Sequence, residues 1–104
     1  MRIILDGMGG DHAPASVVEG AILAMKEMEH EIVIVGQQEL IEAELKKHKY
    51  DRSRLSVADA REVITNDEAP VRAVRTKKDS SIVRGINMVK DGEGDIFISA
   101  GSTG

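Results

Sequence analysis

The sequence predicts an α/β protein in which helices cover both faces of a parallel β-sheet, giving three layers. Short apolar, β-branched runs alternate with amphipathic segments in the order β-α-β-α-β-α-β. The strand-like runs do not alternate cleanly between apolar and polar residues, as is typical of parallel strands buried on both faces. Two of these runs end in loops of small residues, GMGG and AGSTG. Right-handed β-α-β crossovers are the simplest arrangement of this order.

The first strand and the first helix follow from the amino-terminal pattern. The strand covers residues 2–6, and the helix covers residues 14–28 with Pro14 in its first turn. Gly20 lies inside this helix and costs roughly 1 kcal/mol relative to alanine, so we expect it to allow close packing of the helix on the sheet. The inward positions at helical spacing are Val18, Ile22, Met25 and Met28.

A second strand and helix follow. The strand covers residues 31–35, and the helix covers residues 37–49 with Leu40, Ile41 and Leu45 inward. Acidic residues come first in this helix and basic residues last, which suits the helix dipole. The pattern therefore indicates a scaffold helix without a catalytic role.

The second half of the chain predicts two more strands and one helix. A weaker third strand covers residues 54–58 and a fourth covers residues 95–99. The third helix covers residues 81–90, with Asp79 or Ser80 as its cap. Its apolar positions are Ile82, Val83, Ile86 and Val89. The fourth strand runs directly into AGSTG, a kind of loop that normally leads to another helix. We therefore expect residues 1–104 to be the front part of a single, longer α/β domain.

Composition excludes several classes of function. The chain has 18 acidic and 14 basic residues, a formal charge of −4, which argues against a nucleic-acid binder. Tyr50 and Phe97 are the only aromatic residues, so bases would find no stacking platform. The absence of cysteine excludes disulfides and a thiolate nucleophile. No export signal or membrane span begins at Met1, and we expect a cytoplasmic protein.

The glycine-rich loop after the first strand is a candidate anion site. Backbone N–H groups of such a loop and of the following helix can converge on a phosphate, with Gly9 and Gly10 allowing close approach. The alternative is that the glycines only form a tight turn. The loop matches neither the dinucleotide fingerprint nor the Walker A loop. By residue type Asp6, Asp11 and His12 could bind a divalent metal, but we interpret the acids as caps for backbone N–H groups.

Two further segments would lie at the same edge of the sheet. Arg72, Arg75, Lys77 and Lys78 form a basic cluster without an intervening acid, which suits a phosphate or an acidic partner. The alternative for this cluster is a solvated helical face. AGSTG offers N–H groups and the hydroxyls of Ser102 and Thr103, which could donate to a phosphate or an oxyanion. Ligands of parallel sheets gather at the carboxyl ends of the strands, where both loops are expected.

Three segments together resemble the PlsX family of phosphate acyltransferases. They are DGMGGDHAP, PVRAVRTKKDSS and SAGSTG, in the family's order and spacing, and the similarity extends over the whole chain. The resemblance implies a fold related to phosphotransacetylase and to the isocitrate and isopropylmalate dehydrogenases. Gly7 stands where the family usually has Ala, and Ser102 where it usually has Asn. Family members are also much longer than this chain.

The resemblance implies an enzyme that transfers a fatty acyl group from acyl carrier protein to inorganic phosphate, without cofactor or metal. It also implies a homodimer, possible peripheral association with the membrane, and a membrane-bound glycerol-3-phosphate acyltransferase downstream. We assign catalytic roles to Lys77, Lys78, Ser102 and Thr103. We assign phosphate or substrate binding to Asp6, Gly9, Gly10, Asp11, His12, Arg72, Arg75, Ser99, Gly101 and Gly104. The alternatives are a non-catalytic module that binds a phospho-ligand and, less favoured, a relative of the metal-dependent dehydrogenases.

Overall fold

A computed structural model of the chain describes residues 1–8, 12–60 and 81–99. Within these residues, one sheet contains β1 (Arg2–Asp6), β2 (Glu31–Gly36), β3 (Leu55–Asp59) and β4 (Ile96–Ile98). The helices there are α1 (Ala15–Glu27), α2 (Gln38–Leu45) and α3 (Ser81–Lys90). The strand order is β3-β2-β1-β4, and every neighbouring pair is parallel. The predicted parallel α/β fold is confirmed.

Helices cover both faces of this sheet. On one face α1 and α2 pack through Val18, Ile22, Met25, Ile41 and Leu45 against Ile3, Ile32, Ile34 and Leu55. On the other face Met88 and Val89 of α3, together with Phe97 of β4, pack against Ile4, Val33 and Val35. Every residue of β2 after Glu31 is buried. β2 is therefore the doubly buried strand that its unbroken apolar run predicts.

The strand order reverses at β1. From β1 the chain moves through α1 to β2 and through α2 to β3, and it then returns to the opposite side of β1 as β4. Crossovers of one hand that move in opposite directions along a sheet place their helices on opposite faces. This explains why α3 lies opposite α1 and α2, and it creates a topological switch point between β1 and β4.

Two residues that were predicted to face the core, Met28 and Leu40, are exposed, each for a local reason. Met28 is exposed because α1 ends at Glu27 and the chain continues in an extended conformation. Leu40 is exposed because the buried stripe of α2 is formed by Ile41 and Leu45, about 100° around the helix axis from Leu40. α2 also ends earlier than predicted, at Leu45.

The predicted close packing at Gly20 was also wrong. Gly20 is exposed, and no described atom lies within 4 Å of a Cβ placed there. The close approach of a helix occurs at Gly85 of α3, where a Cβ would collide with the ring of Phe97. This contact turns Gly85 inward and leaves its neighbour Ile86 exposed, contrary to the prediction.

Candidate functional site

The carboxyl ends of β1 and β4 lie side by side, and one hydrogen bond joins them. Leu5 pairs with Ile98 in the sheet, so the residues that follow, Asp6 and Ser99, are neighbours. Ser99 Oγ donates to Asp6 Oδ2 over 2.7 Å. In doubly wound sheets the crevice at the switch point, outside the carboxyl ends of the strands, is where ligands bind. The Asp6–Ser99 bond crosses this switch point.

Asp6 is a buried acid whose two oxygens both accept hydrogen bonds. Its exposed fraction is 3%, and Oδ1 accepts from the backbone N–H of Met8 over 3.0 Å. A buried carboxylate needs such donors, because burying even an uncharged polar group without a hydrogen bond costs ~2–7 kcal/mol and an ionised carboxylate costs more. This geometry supports the interpretation of Asp6 as a residue that caps and shapes the turn after β1. The other hydrogen bond, from Ser99, directs the hydroxyl proton of Ser99 to the Asp6 carboxylate.

The turn after β1 is fixed sterically at Gly7. Its N–H donates to the carbonyl of Val35 over 2.7 Å, which holds the turn against the end of β2. A Cβ at Gly7 would lie 2.7 Å from Cγ2 of Ile34 and 2.9 Å from Cδ1 of Ile41. A Cβ at this position would therefore require the side chains of Ile34 and Ile41 to shift.

His12 lies at the entrance to α1. Its side chain is exposed, and its carbonyl accepts a hydrogen bond from the N–H of Ser16 over 3.1 Å. Val18 N–H likewise donates to the carbonyl of Pro14 over 3.0 Å, and Pro14 is the residue immediately before α1. The first bond occupies the Ser16 amide, one of the amino-terminal amides of α1 that a ligand could otherwise contact, and the second is the first regular bond within the helix.

The described residues on either side of the basic cluster lie at the same edge of the sheet. Ala60 follows β3, and its N–H donates to the carbonyl of Gly36 at the end of β2 over 2.7 Å. α3 runs back toward the amino edge, where Asp95 N–H donates to the carbonyl of Arg2 over 2.8 Å. α3 therefore begins, at Ser81, near the carboxyl edge of the sheet.

Of the predicted site residues, the structure describes Asp6, His12 and Ser99, and it brings Asp6 and Ser99 together. The other predicted site residues lie outside the described ranges: Gly9, Gly10, Asp11, Arg72, Arg75, Lys77, Lys78, Gly101, Ser102, Thr103 and Gly104. Sequence reasoning named both members of the pair but missed their contact. Each residue ends a predicted strand, which places both at the carboxyl edge of the sheet. The missing information was that β4 inserts beside β1.

The described ranges lack two other features, a metal-binding cluster and a membrane-spanning helix. Residues 1–8, 12–60 and 81–99 contain no group of three or more histidine, cysteine or acidic side chains arranged to hold a metal ion. In the same ranges, no helix has both the length and the apolar character needed to span a bilayer.

Comparisons with known proteins agree with the resemblance noted in the sequence. A family model described as "Fatty acid synthesis protein" matches residues 1–104. Proteins named phosphate acyltransferase from Clostridium kluyveri and Clostridioides difficile (strain 630) are 58% and 48% identical over 104 residues. One of the same name from Clostridium novyi (strain NT) is 50% identical over 105 residues. Each alignment covers the whole of this chain but only 31%, 31% and 32% of the respective relative. The chain thus spans about a third of its curated relatives and belongs to the fatty acid synthesis protein family.

Proposed function

We propose that the polypeptide to which these residues belong is a phosphate acyltransferase, which transfers a fatty acyl group to inorganic phosphate. The observation that carries the proposal is the match of the entire chain to relatives with that name, at 48% to 58% identity. The Asp6–Ser99 bond supports it, because it gives the crevice between β1 and β4 a fixed wall. Residues 1–104 supply one side of the site, and the remainder of the polypeptide supplies the other.

The reaction makes simple demands on the protein. A phosphate oxygen attacks the thioester carbonyl, the C–S bond breaks, and the thiol leaves with a proton. Phosphate must be held next to the carbonyl, and the oxyanion that forms must meet N–H or O–H donors. Neither demand requires a redox cofactor or a covalent enzyme intermediate.

We assign phosphate binding to the loop after β1 and to the basic cluster. The amides of Gly7 and Met8 already donate to Val35 and Asp6, so the proposed contacts are those of Gly9 and Gly10. Asp11 and His12 would shape this loop. The proposed counter-charges are Arg72, Arg75, Lys77 and Lys78.

We assign oxyanion stabilisation to the loop after β4. The proposed donors are the amides of Gly101 and Gly104 and the hydroxyls of Ser102 and Thr103. Ser99 acts in this proposal as a positioning residue, because its hydroxyl already donates a hydrogen bond to Asp6. Its bond would keep the start of the loop after β4 against the turn after β1.

The proposed acyl donor is the thioester of acyl carrier protein, an acidic partner that the basic cluster suits. The wider proposal, drawn from the family resemblance, is a cytoplasmic homodimer that can associate peripherally with the membrane. In this proposal the homodimer passes acyl phosphate to a membrane-bound glycerol-3-phosphate acyltransferase in phospholipid synthesis.

The test is acyl phosphate formation by the full-length polypeptide. Purified protein is incubated with phosphate and with either acyl–acyl carrier protein or acyl–coenzyme A. Acyl phosphate is measured as the hydroxamate formed beyond that of a reaction without phosphate, because hydroxylamine also attacks thioesters. We expect product with the carrier-protein thioester, at a higher kcat/KM than with coenzyme A. Phosphate binding without product from either donor would contradict the proposal and favour a non-catalytic phospho-ligand module. Equal use of both donors would contradict only the assignment of the donor.

A further inference from the structure

An apolar groove runs along the sheet between α1 and β4, on the face that α1 and α2 occupy. Its volume is about 270 Å³. Ile3, Leu5 and Ile98 form its strand side, and Gly20 and Ala24 of α1 lie on its helix side. No element among the described residues covers it.

β4 gives this groove an exposed apolar border. Ile96 and Ile98 are 43% and 48% exposed. They pair with Ile3 and Leu5, so they point to the same face of the sheet as the α1 side of the core. β4 is also an edge strand of the described sheet. An apolar edge strand beside an apolar groove is a typical site for pairing with further polypeptide.

A line of small residues runs along the helix side of the groove, where Val17 and Met28 also contribute to the lining. Ser16, Gly20 and Ala24 are spaced four residues apart and therefore lie along one line of α1. At Gly20 a Cβ would meet no described atom within 4 Å, although glycine in a helix costs roughly 1 kcal/mol relative to alanine. Contacts within the described residues do not account for this cost. A second backbone packed closely on α1 would account for it.

We propose that this groove and the free edge of β4 are the docking surface for the part of the polypeptide that follows Gly104. The length of the relatives supports this occupant, since the chain covers only 31% of them and about two thirds of such a polypeptide remains to be placed. A strand pairs with β4, and a helix packs in the groove against Ile98 and Gly20. β4 then becomes an internal strand of a wider sheet.

The right-handedness of β-α-β crossovers predicts which part of the polypeptide after Gly104 fills the groove. A strand that joins the free edge of β4 continues the direction in which the chain moved from β3 to β4. A right-handed crossover in that direction places its helix on the α3 face, opposite the groove. The first crossover after β4 therefore does not cover the groove. An element from later in the polypeptide does.

Cysteine accessibility in the full-length polypeptide tests the proposal. Residues 1–104 contain no cysteine. Gly20→Cys places a thiol in the groove, and Glu19→Cys places a control thiol on an exposed position of α1 that does not line the groove. We expect a maleimide to label Cys at position 20 at least about tenfold more slowly than Cys at position 19, because labelling must wait for local opening. The unsubstituted protein provides the blank for cysteines elsewhere.

A second experiment identifies what covers the groove. A photoreactive benzophenone maleimide is attached to the Gly20→Cys variant during a long incubation, and its cross-links are located by peptide mapping. Cross-links to residues beyond the first crossover after Gly104 are the expected result. Equal labelling at positions 19 and 20 would overturn the docking surface. Cross-links to a second copy of the protein would overturn the intramolecular occupant, and cross-links to the first crossover helix would overturn the topological argument.

Discussion

Ser99 Oγ donates a 2.7 Å hydrogen bond to Asp6 Oδ2, joining two residues that are 93 positions apart in sequence. Each residue lies at the carboxyl end of its strand, on either side of the point where the strand order reverses. The bond therefore fixes the distance between the two loops to which phosphate and oxyanion binding are assigned.

Removing this bond should destabilise the protein. Ser99→Ala leaves the buried Asp6 carboxylate without one of its donors, and hydrogen bonds to charged groups contribute about 1.5–3 kcal/mol. We expect the free energy of unfolding, measured by chemical denaturation, to fall by an amount in that range. Ser56→Ala on β3 is the control, because this exposed serine should change stability by less than about 0.5 kcal/mol. Equal effects of the two substitutions would show that the bond contributes little.

The turn at Gly7 should reject even a methyl group. Gly7→Ala would bring the new Cβ to 2.7 Å from Ile34 Cγ2, and overpacking of this kind costs about 1–3 kcal/mol. A lower midpoint of thermal unfolding is the expected outcome. Glu19→Ala is the control in the same measurement, because this exposed position on α1 should change stability by less than about 0.5 kcal/mol. A neutral Gly7→Ala variant would mean that Ile34 and Ile41 repack without cost.

The basic cluster should act on phosphate. In the full-length enzyme we expect Lys77→Ala and Lys78→Ala each to raise KM for phosphate by about tenfold, the loss of roughly 1.4 kcal/mol of binding. Steady-state kinetics with phosphate as the varied substrate measures this effect. Lys46→Ala, at an exposed position just after α2, should leave the phosphate dependence unchanged. Unchanged phosphate kinetics in both cluster variants would remove these lysines from the site.

A turn far from the site offers a pH test of the structure. The Ser53 hydroxyl donates to Asp51 Oδ1 over 2.6 Å, and this bond, aided by the Ser53 N–H and Arg54, holds the pKa of Asp51 below its ordinary value. Such an acid stabilises the fold above its unfolded pKa, and this contribution is lost as pH falls through the folded pKa. Ser53→Ala should raise the pKa of Asp51 toward the ordinary value, as measured by carboxyl NMR titration. A pKa unchanged from the parent protein would contradict the assigned cause.

Local patterns were sufficient to predict the elements, and the bounds of α3 agree with those expected for residues 81–90. Patterns of this kind report burial and period, which each segment carries in its own residues. They do not report which strand lies beside which, because β4 would look equally apolar beside β1 or beside β3. For that reason both Asp6 and Ser99 could be named as site residues while their contact could not be predicted.

Gly20 and Gly85 illustrate the same limit on helices. Each glycine interrupts a helical pattern, and each could equally have been placed against the sheet. The rotation of each helix about its axis in the folded protein determines which glycine lies against the sheet. Phe97 packs on Gly85, whereas Gly20 faces the groove. That rotation depends on the whole core, which a single segment does not encode.

The position of β4 beside β1 also has a consequence for synthesis of the protein. β1 leaves the ribosome before its partner β4, which is made some ninety residues later. Until then β1 can pair only with β2, and its other edge stays open to other nascent chains. Closing such a long loop is slow compared with forming the local β-α-β units. The crevice at the switch point therefore forms after these local units, when β4 reaches β1.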